Sequence, residues 1–295
     1  MRRWASIARA TALEILSEPL SLLVLLTALA MAVLAPTFHY HQFGEATRMA
    51  RDAGFSALLT GGGVLAVFGT IRAFRREIES GTLAMALSHP VSRGGFFLSK
   101  TLGAVVAYLA FAGIVFSTML VIVQGAAVGG AIARRTGDIA RLWTPCLAAG
   151  VAMMLVPLAV AALANRFARF RFVLSCFAIA LVMSVVVAVG VVWMNPKMVL
   201  RLLPVALLVM VPPLLYLLAA AAFSVRLKAN AAAAAVGLVF AASVPAIGNY
   251  YLVDALSKGG SLPLDYLVVA VLAALPAMLA MLAMGMGFMG KCDIS

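Results

Sequence analysis

Polar residues reach this chain in short bursts between long apolar runs, and that alternation sets the elements to expect. Apolar stretches run from about Pro19 to Pro36, Phe55 to Ile71, Phe96 to Ala133, Leu142 to Leu163, Phe172 to Met194, Leu202 to Phe223, Ala231 to Val253 and Tyr266 to Phe288. Each reaches the roughly 17 or more residues with which an α-helix crosses the hydrocarbon of a bilayer. Lipid offers no partner to a free backbone amide, so continuous apolar runs of this length predict helices that satisfy themselves. The expected fold is an all-α polytopic membrane protein of about eight spans. The third run exceeds what a bilayer requires, which predicts tilt or an extension into the interface. The sixth contains Pro204, Pro212 and Pro213, and a kink is expected there.

Residues 1–18 are patterned differently. Trp4, Ile7, Ala8, Thr11 and Ile15 recur at helical spacing, while Arg2, Ser6 and Arg9 fall elsewhere on the wheel. That predicts an amphipathic helix on the membrane surface, with Trp4, Ile7 and Arg9 as its interfacial residues.

One stretch between spans is too structured for a plain linker: RAFRREIESGTLAMALSHPVSRGGFFLSK, Arg72 to Lys100. Glu79 or Ser80 suits the N-cap of a short helix from Thr82 to Leu87, and Pro90 stops it because the residue before proline leaves the helical region. A capped helix of about 77–91, held between two spans, has the form of a docking element. Glu77 and Glu79 offer charges to basic residues of a soluble partner. Leu83, Met85 and Leu87 can enter a groove on it, and Gly81 permits close backbone approach.

Composition narrows the class. The chain has 295 residues, 65% hydrophobic and 11% charged, with a mean hydropathy of +1.11, which excludes an ordinary soluble domain. The net charge of +12 sits in short loops between spans. That fits a positive-inside bias and anionic headgroups rather than nucleic acid, which is not expected as a partner. Arg48, Arg51, Arg134, Arg135, Arg141, Lys197, Arg201 and Lys258 fall on one side of the predicted spans, and the other fourteen of the 22 basic residues fall on the opposite side. The excess places both termini and the Arg72–Lys100 stretch in the cytoplasm.

Candidate chemistry is sparse. Cys146, Cys176 and Cys292 are isolated and make neither a metal spacing nor a disulfide framework. His39 and His41 form a His-x-His just outside the first span, and the last carries Met278, Met281, Met284, Met286 and Met289. Imidazoles and thioethers are ligand types for copper or zinc. An interfacial His-Tyr-His belt and a methionine-filled apolar helix account for them better, and no metal site is assigned. Gln124, Asn165, Asn249 and Asp254 fall near span ends. The spans therefore offer no mid-membrane carboxylate or histidine of the kind an ion-coupled carrier uses, and a lipophilic or amphiphilic cargo is favoured. No catalytic constellation and no Gly-x4-Gly-Lys-Ser/Thr motif is found, so this chain is not expected to be an enzyme.

The order Glu-x-Glu-Ser-Gly-Thr-Leu, a short helix, Leu-Ser-His-Pro-Val-Ser-Arg and then a lysine resembles the coupling-helix region of ABC-2 type transporter permeases. The matching positions are Glu77, Glu79, Gly81, Thr82, Leu83, Leu87, Pro90, Val91, Arg93 and Lys100. The N-terminal segment ending Ser-Glu-Pro-Leu resembles that family's interface helix. The likeness covers about residues 1–125 well, and beyond them only the pattern of spans. It implies an interface helix at 1–18, a six-span core at 19–230, and here two additional spans and a short cytoplasmic tail at 231–295. It also implies a permease subunit of an ATP-driven exporter in the bacterial inner membrane. Two copies of a separate ABC ATPase subunit would carry ATP and Mg, and a second permease copy would form a homodimer or related heterodimer among membrane lipids. No cofactor would be bound by this chain. Two rival readings are a membrane scaffold or assembly factor that recruits a soluble ATPase, and an ion-coupled secondary carrier.

Overall fold

The computed structural model describes residues 2–34, 46–80, 92–136, 144–169, 171–247 and 264–290, and among them every regular element is helical. In chain order these are α1 (Arg2–Ser17), α2 (Pro19–Leu34), α3 (Ala46–Val64), a π turn (Leu65–Gly69) and α4 (Thr70–Glu79). Then follow α5 (Arg93–Thr136), α6 (Thr144–Ala168), α7 (Phe172–Met194), α8 (Pro196–Arg226), α9 (Ala229–Ile247) and α10 (Leu264–Gly290). Where they are described, the predicted spans fall on helices, the second across α3, the π turn and α4, while the part of the seventh beyond Ile247 lies outside the described residues. Among the described residues, six stretches are long and apolar enough to cross a membrane: Thr47–Glu79, Arg93–Gly129, Leu147–Phe167, Phe172–Met194, Pro196–Arg226 and Leu267–Gly290. The pair α1–α2 makes a seventh if counted as one bent span, and α9 is a shorter apolar helix.

Local chemistry sets the breaks. Pro19 excludes Glu18 from helical geometry and then suits the first position of α2, so the chain bends by 65° between α1 and α2. Ser21 Oγ donates to the Ile15 carbonyl at 2.6 Å across this elbow, pairing a group that the bend frees. Asn195 caps α8, its side chain accepting from the Met198 amide at 3.4 Å, and its Nδ2 reaches Gln124 Oε1 at 3.5 Å. Pro196 follows as the first residue of the helix. Arg169 closes α6 in the left-handed region, φ 53°, and directs the chain into α7.

The spine is α5. Its 44 residues are about 66 Å long at 1.5 Å per residue, twice the hydrocarbon thickness. Ala107, Tyr108, Phe111, Ala112, Ile114 and Val115 along it are fully buried in the core that α5 shares with α2, α3, α7 and α8. Glycines admit the close contacts. A Cβ at Gly61 would lie 3.0 Å from both Ala28 and Phe111, and one at Gly62 would lie 3.0 Å from Tyr108. Buried hydroxyls turn back onto their own helix: Thr101 to the Phe97 carbonyl at 2.9 Å, Thr118 to Ile114 at 2.9 Å. The Tyr108 hydroxyl donates to the Met210 carbonyl at 3.4 Å, one turn before Pro212–Pro213. By contrast, α6, α7 and α10 keep broad apolar faces exposed, as helices do that meet lipid or another apolar surface.

The structure departs from the sequence pattern at two places. The second span does not stop at Ile71: its helix runs on to Glu79, so residues 77–79 of the predicted docking element are the last turn of α4, with Ser80 as its C-cap. The apolar stripe of α1 also does not simply face the bilayer. Ala8, Thr11 and Ile15 are buried, and a Cβ at Gly103 would lie 2.4 Å from the Ala8 carbonyl oxygen, so α1 is seated on α5. Packing against protein took a face that its spacing alone assigns to lipid, while Trp4 and Arg9 remain exposed.

Candidate functional site: the charged end of the bundle

Antiparallel connectivity gathers α1, the end of α4, the start of α5, the α6–α7 and α8–α9 turns and the end of α10 at one end of the bundle. These are the segments in which most of the basic residues fall. From α4, Arg72 and Arg76 project at i and i+4, and facing them are Glu14 in the last turn of α1 and Glu18 at the bend just after it. The helices meet as a two-rung ladder: Arg72 Nε lies 2.8 Å from Glu18 Oε1, and Arg76 Nη1 lies 3.5 Å from Glu14 Oε1. Burial pushes the Glu18 carboxyl above its ordinary range, against the pull of the Arg72 guanidinium. Such half-exposed pairs add little stability, and their main effect is to fix the register of α1 on α4. A double-mutant cycle on Arg72 and Glu18, read by thermal unfolding in detergent, is expected to give a coupling of about 0.5–1 kcal/mol. The Arg76–Glu14 cycle should give less, because that contact is longer and wetter.

Deeper in, α4 and α5 are joined by a second kind of contact. Lys100 Nζ lies 2.6 Å from Glu77 Oε2, and the lysine side chain is 1% exposed against 31% for the glutamate. The ammonium also lies 5.3 Å from the Phe74 ring centroid and 5.8 Å from that of Phe96, within the range in which an aromatic face attracts a cation. Phe74 and Phe97 pack at 5.6 Å. With Ala221, Val225 and Met289 these rings form a small separate core, and Ile7, Ile78 and Phe288 close over it. A Cβ at Gly285 would lie 2.2 Å from the Phe97 ring, so glycine is what lets α10 reach this core.

The margin is clamped as well. Arg93 Nη1 donates to the Gly290 carbonyl at 3.3 Å, and Arg226 sits over the Phe288 ring at 5.4 Å. Gly95 makes room for Trp4, whose ring would lie 2.8 Å from a Cβ there. The two helices that flank residues 80–92 are therefore fixed to each other and to α1, α8 and α10. Displacing either of them must disturb the rest, because packed interiors do not deform continuously.

Among the predicted site residues, Glu77 is engaged inside the chain by Lys100, and Glu79 stays on the surface, where Arg75 reaches its Oε1 at 2.8 Å. Arg93 opens α5, and Trp4, Ile7 and Arg9 lie on α1. Gly81, Thr82, Leu83, Leu87 and Pro90, and likewise His39 and His41, lie outside the described residues. No three His, Cys, Asp or Glu side chains converge as a metal site among the described residues. Glu14, Glu18, Arg72, Arg76 and Lys100 complete the site. A signal for each was present: paired i,i+4 spacings of opposite sign on neighbouring segments, and a lysine inside an apolar span, which demands a partner.

No curated protein and no solved structure matches the chain. The family described as ABC-2 family transporter protein matches residues 14–186, from the last turn of α1 into α7 and across the whole Arg72–Lys100 region. With a match over more than half its length, this multi-pass membrane protein belongs to the ABC-2 transporter family and has a permease role in ABC transport.

Proposed function

We propose that this chain is the membrane subunit of an ATP-driven exporter, in which residues 77–91 couple a separate ABC ATPase to movement of the spans. The observation that carries this is the Glu77–Lys100 pair. It joins the helix entering the 80–92 segment to the helix leaving it, so a push on that segment reaches both spans together. The basic bias argues that this end faces the cytoplasm, where ATP is. In this reading two ATPase copies with ATP and Mg act on a permease homodimer or related heterodimer in a bacterial inner membrane. Differential contact in the ATP-bound and ATP-free states shifts the spans between inward- and outward-open forms. The largely apolar faces of the spans favour a lipophilic or amphiphilic cargo. Co-expression with a Walker-A ATPase tests the docking. The wild-type chain should retain the ATPase through detergent purification, and Gly81→Arg should lose it while the chain keeps its elution volume. Retention by Gly81→Arg equal to wild type would count against docking at this segment.

A further inference from the structure

We propose that the cleft between α1, the start of α2, α4 and the start of α7 binds the phosphate headgroup of an anionic phospholipid from the surrounding leaflet. The cleft is about 720 Å³, and three guanidinium groups line it: Arg72, Arg76 and Arg171. Glu14 and Glu18 line it too, but each already lies against an arginine of the cleft, and the balance of formal charge is positive. A guanidinium has five N–H donors, and a single carboxylate contact leaves most of them for a second anion. Leu13, Pro19, Phe172 and Leu174 supply an apolar wall beside these charges. A lipid presents that same combination at the headgroup boundary, whereas a free phosphate would leave the apolar wall in water. The position fits as well. The cleft opens where the chain bends by 65° from α1 into the apolar helix α2, between an interfacial helix and a span. A headgroup there would lie against both rungs of the α1–α4 ladder, so lipid charge would bear on the register of the two helices. This inference does not require the ATPase coupling and stands or falls separately from it.

Native mass spectrometry of the full chain, released from nanodiscs of phosphatidylglycerol and phosphatidylcholine, tests it. Wild type should retain phosphatidylglycerol in preference to phosphatidylcholine. Arg171→Gln leaves both rungs of the ladder in place and should weaken that retention about fivefold, the usual effect of one basic residue at an anionic surface. Arg48→Gln, outside the cleft, should leave it unchanged. Millimolar inorganic phosphate should not displace the lipid. Equal retention of the two lipids, an Arg171→Gln chain indistinguishable from wild type, an equal loss in Arg48→Gln, or displacement by inorganic phosphate would each overturn the proposal.

Discussion

Glu77→Ala is expected to be the most damaging single substitution at the charged end, costing about 3–5 kcal/mol. The reason is asymmetric burial. Removing the carboxylate leaves an ammonium whose side chain is 1% exposed, beside the Phe74 and Phe96 rings. Removing the ammonium with Lys100→Met instead leaves a glutamate whose Oε2 is buried but whose side chain is 31% exposed, so the carboxylate can turn toward water. That variant should lose clearly less, and methionine fills most of the vacated volume. Replacing both, Glu77→Leu with Lys100→Met, should recover most of the loss, since a buried ion pair is often no better than well-packed apolar groups. Thermal unfolding of the three variants in detergent micelles checks the order. Equal destabilisation by the two single variants would mean that the pair is not buried as described.

Gly103 carries the second large effect. A Cβ there would lie 2.4 Å from the Ala8 carbonyl oxygen and 2.8 Å from Thr11 Cβ. The nearer atom is helix backbone, which cannot rotate away, so α1 itself must lift from α5. Gly103→Ala should cost about 1–3 kcal/mol, the usual range for overpacking, and Gly103→Val more. Lifting α1 also draws Glu14 and Glu18 from Arg76 and Arg72, so the ladder couplings should shrink in the Gly103→Ala background. Gly113 on the same helix supplies the contrast, because nothing lies within 4 Å of a Cβ there. Gly113→Ala should be neutral, or stabilising by up to about 1 kcal/mol, through helix propensity. Opposite signs at two glycines of one helix separate packing from propensity.

Much of this fold is legible in the chain itself. Where the structure describes them, the apolar runs are helical because lipid admits few other solutions, and the excess length of Phe96–Ala133 anticipates the 44-residue spine. Legibility fails where a residue has two possible neighbours. The stripe Ala8–Thr11–Ile15 reads equally as a lipid-facing or a protein-facing surface, and only the glycine at 103, nearly a hundred residues on, decides it. Glu77 and Glu79 likewise read as charges for a partner. Glu77 lies against Lys100, whose place in an apolar run calls for a partner without saying which, while Glu79 keeps an exposed carboxylate. The continuation of α4 past Ile71 is hidden for a related reason. Charged residues mark the end of the hydrocarbon, not the end of the helix, and Arg72–Glu79 satisfies helical spacing on both sides of that boundary.

If force enters the membrane through residues 77–91, ATP hydrolysis by the assembled complex must depend on that segment. With the permease and a co-purified Walker-A ATPase in nanodiscs, wild type should sustain basal hydrolysis that depends on the permease being present. Gly81→Arg should remove that dependence, whereas Arg48→Gln should retain it. Hydrolysis and co-purification untouched by Gly81→Arg would mean that force does not enter there.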